Sequence, residues 1–95
     1  MGYRLTVAAA GDLSRIYTDG IHKFGRIQSD KYYDELIESL EFLARFPRAA
    51  RDRKEFSPPV RIHPVGAHVV IFVREHDGIL VVRVLHGRQD WESHL

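Results

Sequence analysis

His68-Val69-Val70-Ile71-Phe72-Val73 and Ile79-Leu80-Val81-Val82-Arg83-Val84-Leu85, separated by Arg74-Glu75-His76-Asp77-Gly78, form the stretch that decides the fold. β-Branched residues dominate both runs, and each run is short for a buried helix. Asp77-Gly78 offers the positive φ that tight turns need, so the two runs read as an antiparallel hairpin. Neither Val69 to Val73 nor Ile79 to Val82 alternates with polar residues, so both faces of the hairpin carry apolar side chains. Upstream, Val60 and Ile62 alternate with Arg61 and His63, and Pro64 to Ala67 forms a link, which adds a third strand and gives a meander.

The material to cover one face of that meander lies in the N-terminal half. Leu13, Ile16, Tyr17, Ile21 and Phe24 recur at helical spacing and fall on one side of a helix that Gly25 closes. Its start is unsignalled, because Ala8 to Gly11 contains no Ser, Asp or Asn immediately before the helix. Tyr33, Leu36, Ile37, Leu40, Leu43 and Ala44 repeat the period in a second helix, with Asp34, Glu35, Glu38 and Glu41 on its wet side. Ser29 or the residues just before it are the expected cap, and Pro47 stops the helix near Phe46. A link of roughly four residues around Gly25 folds the helices back as an antiparallel hairpin. Before them, Tyr3 to Val7 reads as a short edge or paired terminal strand, with Tyr17, Tyr32 and Tyr33 as core and rim rather than a stacking platform. The expected fold is α+β, one domain over residues 1–95: an N-terminal strand and an antiparallel helical hairpin packed on a C-terminal antiparallel β-meander.

Two helices cover one sheet face and leave the other. That second apolar face is expected to be a binding surface; the alternative is that loops and the tail cover it. Trp91 and Leu95 either pack back on the sheet or form an apolar tip.

Composition narrows the function classes. The chain has 95 residues, enough for one core, and no cysteine, which excludes disulfides and thiolate metal sites and suits a reducing cytoplasm. Its longest apolar run, Val69 to Val73, is far short of the roughly 20 residues that span a bilayer, so no membrane association is expected. A net charge of +1 argues against binding nucleic acid by bulk phosphate neutralisation. Charge is uneven, however. Arg45, Arg48, Arg51, Arg53, Lys54 and Arg61 face only Asp52 and Glu55, a surplus of four over that segment. The segment is either a solvated loop or a docking patch for an acidic partner. Five of the six histidines follow position 60, but their spacing fits no compact metal motif, and neither metal nor cofactor is expected.

The order strand, helical hairpin, three-stranded meander resembles the ParE branch of the RelE/ParE toxins of bacterial toxin-antitoxin systems. The resemblance rests on several pieces in order: the Gly25 break, the Tyr33-x-x-Leu36 to Leu43 helix ending in Phe46-Pro47, Val60-Arg61-Ile62-His63-Pro64, and Val65-Gly66-x-His68. The ending Ile79-Leu80-Val81-Val82-Arg83-Val84-Leu85-His86-Gly87-Arg88-Gln89-Asp90 carries it furthest. What it implies is a cytoplasmic toxin of a type II system that a ParD-like antitoxin neutralises. When free it stops growth, with DNA gyrase as the implied target, and such systems serve plasmid stabilisation. An antitoxin helix or strand would occupy the apolar surface at Val60, Ile62, Val70, Phe72, Leu13 and Tyr17, and Arg83, His86, Arg88 and Trp91 would meet the target. No direct sequence-specific DNA binding by the toxin alone is expected. The RelE branch suggests an alternative, a ribosome-dependent messenger RNA endoribonuclease with Arg61, Arg83, His86 and Arg88 handling the phosphate and protons. Against it stand the lack of any Tyr after Tyr33 and the presence of only three Lys. A purely structural role for Arg83 would be an ion pair with Glu75 or Asp77 across the hairpin.

Overall fold

The computed structural model describes Gly2 to His94, with Leu95 outside the described residues. Strand β1 (Gly2–Leu5) leads into helix α1 (Val7–Phe24), and helix α2 (Arg26–Arg45) follows. Strands β2 (Asp52–Arg53), β3 (Val60–Val65), β4 (His68–Glu75) and β5 (Gly78–His86) complete a five-stranded sheet in the order β1-β5-β4-β3-β2. The meander β3-β4-β5 is antiparallel as expected, while β1 lies parallel to β5 at one edge and makes the sheet mixed. Short 3-10 turns at Pro47–Ala49 and Trp91–His94 follow α2 and β5. Among the described residues no helix is long and apolar enough to cross a membrane.

The start of α1 corrects the sequence reading. Thr6 is the cap: its Oγ1 accepts from the Ala9 amide at 3.0 Å and donates to the Val82 carbonyl at 2.7 Å. One hydroxyl thus ends β1, opens α1 and ties both to β5. Val7, expected at the end of the strand, is instead the first helical residue and is exposed. The joint between the helices is also tighter than expected. Gly25 alone connects them, at φ 86°, and Ser29 sits inside α2 rather than capping it. The Ser29 hydroxyl donates to the Tyr17 carbonyl at 2.8 Å. A Cβ at Gly20 would stand 2.5 Å from that hydroxyl, so a glycine on α1 and a small polar residue on α2 let the two backbones come close.

Ala9 and Leu13 of α1 and Leu36, Leu40, Leu43 and Ala44 of α2 pack on Val70, Phe72, Ile79, Val81 and Val84. Phe24, expected in this stripe, is 70% exposed at the end of α1. The opposite sheet face has its own cluster, with Val60, Ile71 and Leu85 buried beneath Phe56, Ile62, Val69, Val73, Val82 and Trp91. The expectation of an open apolar face is therefore corrected: the loop carrying Phe56 and the C-terminal turn carrying Trp91 fold over it. Arg53 fastens that cover, with its guanidinium 5.7 Å from the Phe56 ring centre and 5.8 Å from that of Trp91.

Candidate functional site

Strand β1 ends at Leu5 while its neighbour β5 continues to His86, so the second half of β5 has no strand along this edge. Side chains take the strand's place. Thr6 donates to the Val82 carbonyl, the Val84 amide donates to Asp12 Oδ2 at 2.9 Å, and the His86 amide donates to Gln89 Oε1 at 3.1 Å. A groove of about 590 Å³ runs between this edge, the outer half of α1 and the start of α2.

Asp12 anchors the groove. It is 4% exposed, and Arg83 binds it in a fork, Nε to Oδ2 and Nη2 to Oδ1, both at 2.8 Å. Arg15 adds a bond to Oδ1 at 2.7 Å. Burial pushes the Asp12 carboxyl up, but the bonds from Arg83 and Val84 and the charge of Arg15 outweigh it and hold the group below the ordinary carboxylate range. The same fork raises Arg83. Arg83 therefore pairs with neither Glu75 nor Asp77; Glu75 pairs with Arg4 of β1.

Tyr32, in the second turn of α2, is the second fixed point. Its hydroxyl lies 3.2 Å from the Val65 carbonyl and 2.6 Å from His68 Nδ1, and accepts from the Ala67 amide at 3.0 Å, clamping the β3–β4 turn to α2. Burial raises its pKa. Tyr32→Phe removes every one of these bonds at once and should cost about 1–3 kcal/mol in chemical denaturation, since the Ala67 amide and the turn lose their partner. His68 packs edge-on against His86, ring centres 5.3 Å apart, and burial followed by the His86 charge lowers its pKa. The His86 Nδ1 accepts from the Arg88 amide at 3.1 Å, so the neutral ring carries its proton on Nε2. His86 lines the groove and is exposed, and Arg88 is exposed in the turn beyond it.

The expected site residues thus divide. Arg83 and His86 both line the groove, while Arg88 lies in the turn after β5, its amide bound to His86 Nδ1. Trp91 does not join them; it belongs to the cover on the opposite face. Arg61 also lies elsewhere, bound to the carbonyls of Pro47 and Ala50 at 3.2 and 2.6 Å and to Asp52 at 3.3 Å, where it shapes the turn after α2. Leu13, Val70 and Phe72 are corrected from surface to core, and Val60 lies under the second-face cover, because the helices and the loop occupy the space assigned to a partner. Ile62 and Tyr17 remain half-exposed, Tyr17 donating to Asp30 at 2.5 Å. Among the described residues no cluster of three His, Asp or Glu can hold a metal.

Asp12 is the groove residue that sequence reading alone misses. Ala9, Asp12, Leu13, Ile16 and Gly20 share the helical stripe, so Asp12 stands within the apolar face rather than opposite it, and that placement was the available signal.

Residues 3–91 match the family model described as ParE toxin of type II toxin-antitoxin system, parDE. Toxin ParE1 of Caulobacter vibrioides is 31% identical over 93 residues, spanning 98% of this chain and 96% of that protein. Toxin ParE3 of the same organism is 26% identical over 90 residues, spanning 95% and 90%. A chain from the chromosomal ParDE TA system of P. aeruginosa has the same fold, with a TM-score of 0.76 at 22% identity over 90% of this chain and 95% of that one.

Proposed function

The chain belongs to the ParE toxin family of type II toxin-antitoxin systems, and on that premise we propose that it arrests growth by binding DNA gyrase and is silenced by a ParD-like antitoxin. The observation that carries a binding role over a cleaving one is the state of the arginines. Arg83 is forked onto Asp12, and Arg61 is bound to backbone carbonyls and Asp52, so two of the four groups that a nuclease reading requires are held in structural bonds. Of those four, His86, still a donor through Nε2–H, and Arg88 are the exposed ones, which suits recognition of a partner surface.

The groove itself suits an amphipathic antitoxin helix. Ile16 and Phe24 give it apolar wall, and Arg15 and Lys23 give it a basic rim. Expression without antitoxin should stop growth, and the purified chain should block gyrase supercoiling at micromolar concentration. His86→Ala combined with Arg88→Ala should weaken that inhibition about tenfold, equivalent to about 1.4 kcal/mol. Undisturbed supercoiling at that concentration, or cleaved messages in arrested cells, would sink the gyrase reading.

A further inference from the structure

We propose that the far end of α2 and the turn after it form a second docking site, filled by an acidic segment of the antitoxin that carries an apolar anchor. This rests on the reading that an antitoxin neutralises the chain. Of the six bases between Arg45 and Arg61, two are consumed locally, Arg53 by Glu55 and Arg61 by Asp52. Arg45, Arg48, Arg51 and Lys54 are exposed, and among the described residues none has a carboxylate within 4.0 Å. The surplus read from the sequence is thus a set of free cations and not a solvated ion-pair network.

Next to Arg45 and Arg48 in the chain lies an uncovered apolar knob. Phe42 and Phe46 are 45% and 57% exposed with ring centres 5.4 Å apart, and His63 of β3 packs on Phe42 at 6.4 Å. The rings are tilted at 44° and 39° to one another and offer no parallel slot or flat platform for a nucleobase. An aliphatic or aromatic side chain flanked by Asp or Glu complements both the rings and the cations. Along α2, Tyr32 in the groove and Phe46 are about 20 Å apart at the helical rise, roughly six residues of extended chain. An antitoxin helix seated in the groove therefore leaves this patch free for a continuing acidic segment. The antitoxin is the occupant because it is the partner that membership of a toxin-antitoxin family itself supplies.

The test is the binding of the full-length cognate antitoxin to the full chain at 50 and 200 mM salt. Arg48→Glu with Arg51→Glu should weaken binding tenfold or more at low salt and flatten its salt dependence, while the thermal midpoint stays near wild type because both side chains are exposed. Phe46→Ala should weaken binding several-fold at either salt. Wild-type affinity and salt slope in the charge-reversed variant would overturn this inference and leave the function above intact. An antitoxin that fails to bind the wild-type chain would overturn both. A variant that loses affinity for a single-stranded oligonucleotide but not for the antitoxin would overturn the choice of partner.

Discussion

Asp12→Ala should lower stability by about 3 kcal/mol, the cost expected when one member of a buried, hydrogen-bonded ion pair is removed. Three donors converge on this carboxylate, from Arg83, Arg15 and the Val84 amide. The alanine leaves the Arg83 guanidinium without its counter-charge and a backbone N–H without an acceptor at a sheet edge. Arg83 keeps some water, its side chain being 21% exposed, which sets the figure at the low end of the usual range. Asp12→Asn should cost less, since an amide oxygen still accepts from Val84. Replacing both partners, Asp12→Leu with Arg83→Met, should be milder than Asp12→Ala alone, because no charge is stranded. Urea unfolding of the four proteins tests the order; a double variant worse than Asp12→Ala would mean that the pair itself, and not the stranded charge, carries the energy.

The same carboxylate gives the fold an acid limit, and His68 adds to it. The Asp12 pKa is lower folded than unfolded, so its stabilisation is present above the ordinary carboxylate range and is lost as pH falls below about 4 toward the folded value. The His68 pKa is also lower folded than unfolded, so the unfolded chain takes up the proton first and stability declines as pH falls through about 6.5. Acidification should therefore weaken the fold in two stages, and His68→Gln should remove the upper one.

Much of this architecture was legible because it depends on period. The two helical stripes, the Pro47 stop, the Gly25 break and the two-sided apolar hairpin all follow from spacing, and the structure has each of them. What spacing cannot reach is the destination of segments without period. Phe56 and Trp91 stand alone among polar neighbours, so spacing left open whether loop and tail cover the second sheet face, and it is tertiary packing that makes them convert an expected docking surface into a small core. Spacing does not show that Arg83 and Arg61 are held in structural bonds, because their partners Asp12 and the Pro47–Ala50 turn are brought to them only by tertiary packing. Thr6 was passed over for a related reason: its acceptor role is local, while the Val82 carbonyl that holds it in place is 76 residues away.

Gly78→Ala should be at least as damaging as the loss of Asp12, for a steric reason. The sequence marks this glycine as a turn residue, but the corner of the hairpin is His76-Asp77, and Gly78 begins β5 opposite Glu75. Its φ of 145° is a conformation that alanine adopts poorly, which costs roughly 1–3 kcal/mol. Its neighbour β1 approaches on the side where a Cβ would stand. That Cβ would lie 1.8 Å from the Gly2 carbonyl oxygen and 2.9 Å from its carbon, and both are backbone atoms with no rotamer to yield. Relief requires β1 to move away from β5, which breaks the parallel pairing of Gly2–Leu5 with Gly78–Val81. It also pulls on Thr6, whose hydroxyl both caps α1 and holds Val82. Overpacking of this kind adds about 1–3 kcal/mol, so a total near 4 kcal/mol is expected. Hydrogen exchange should show the loss first in the amides of β1 and the first turn of α1. A chain that unfolds at the wild-type urea midpoint with β1 still protected would show that β1 has slack that its pairing does not suggest.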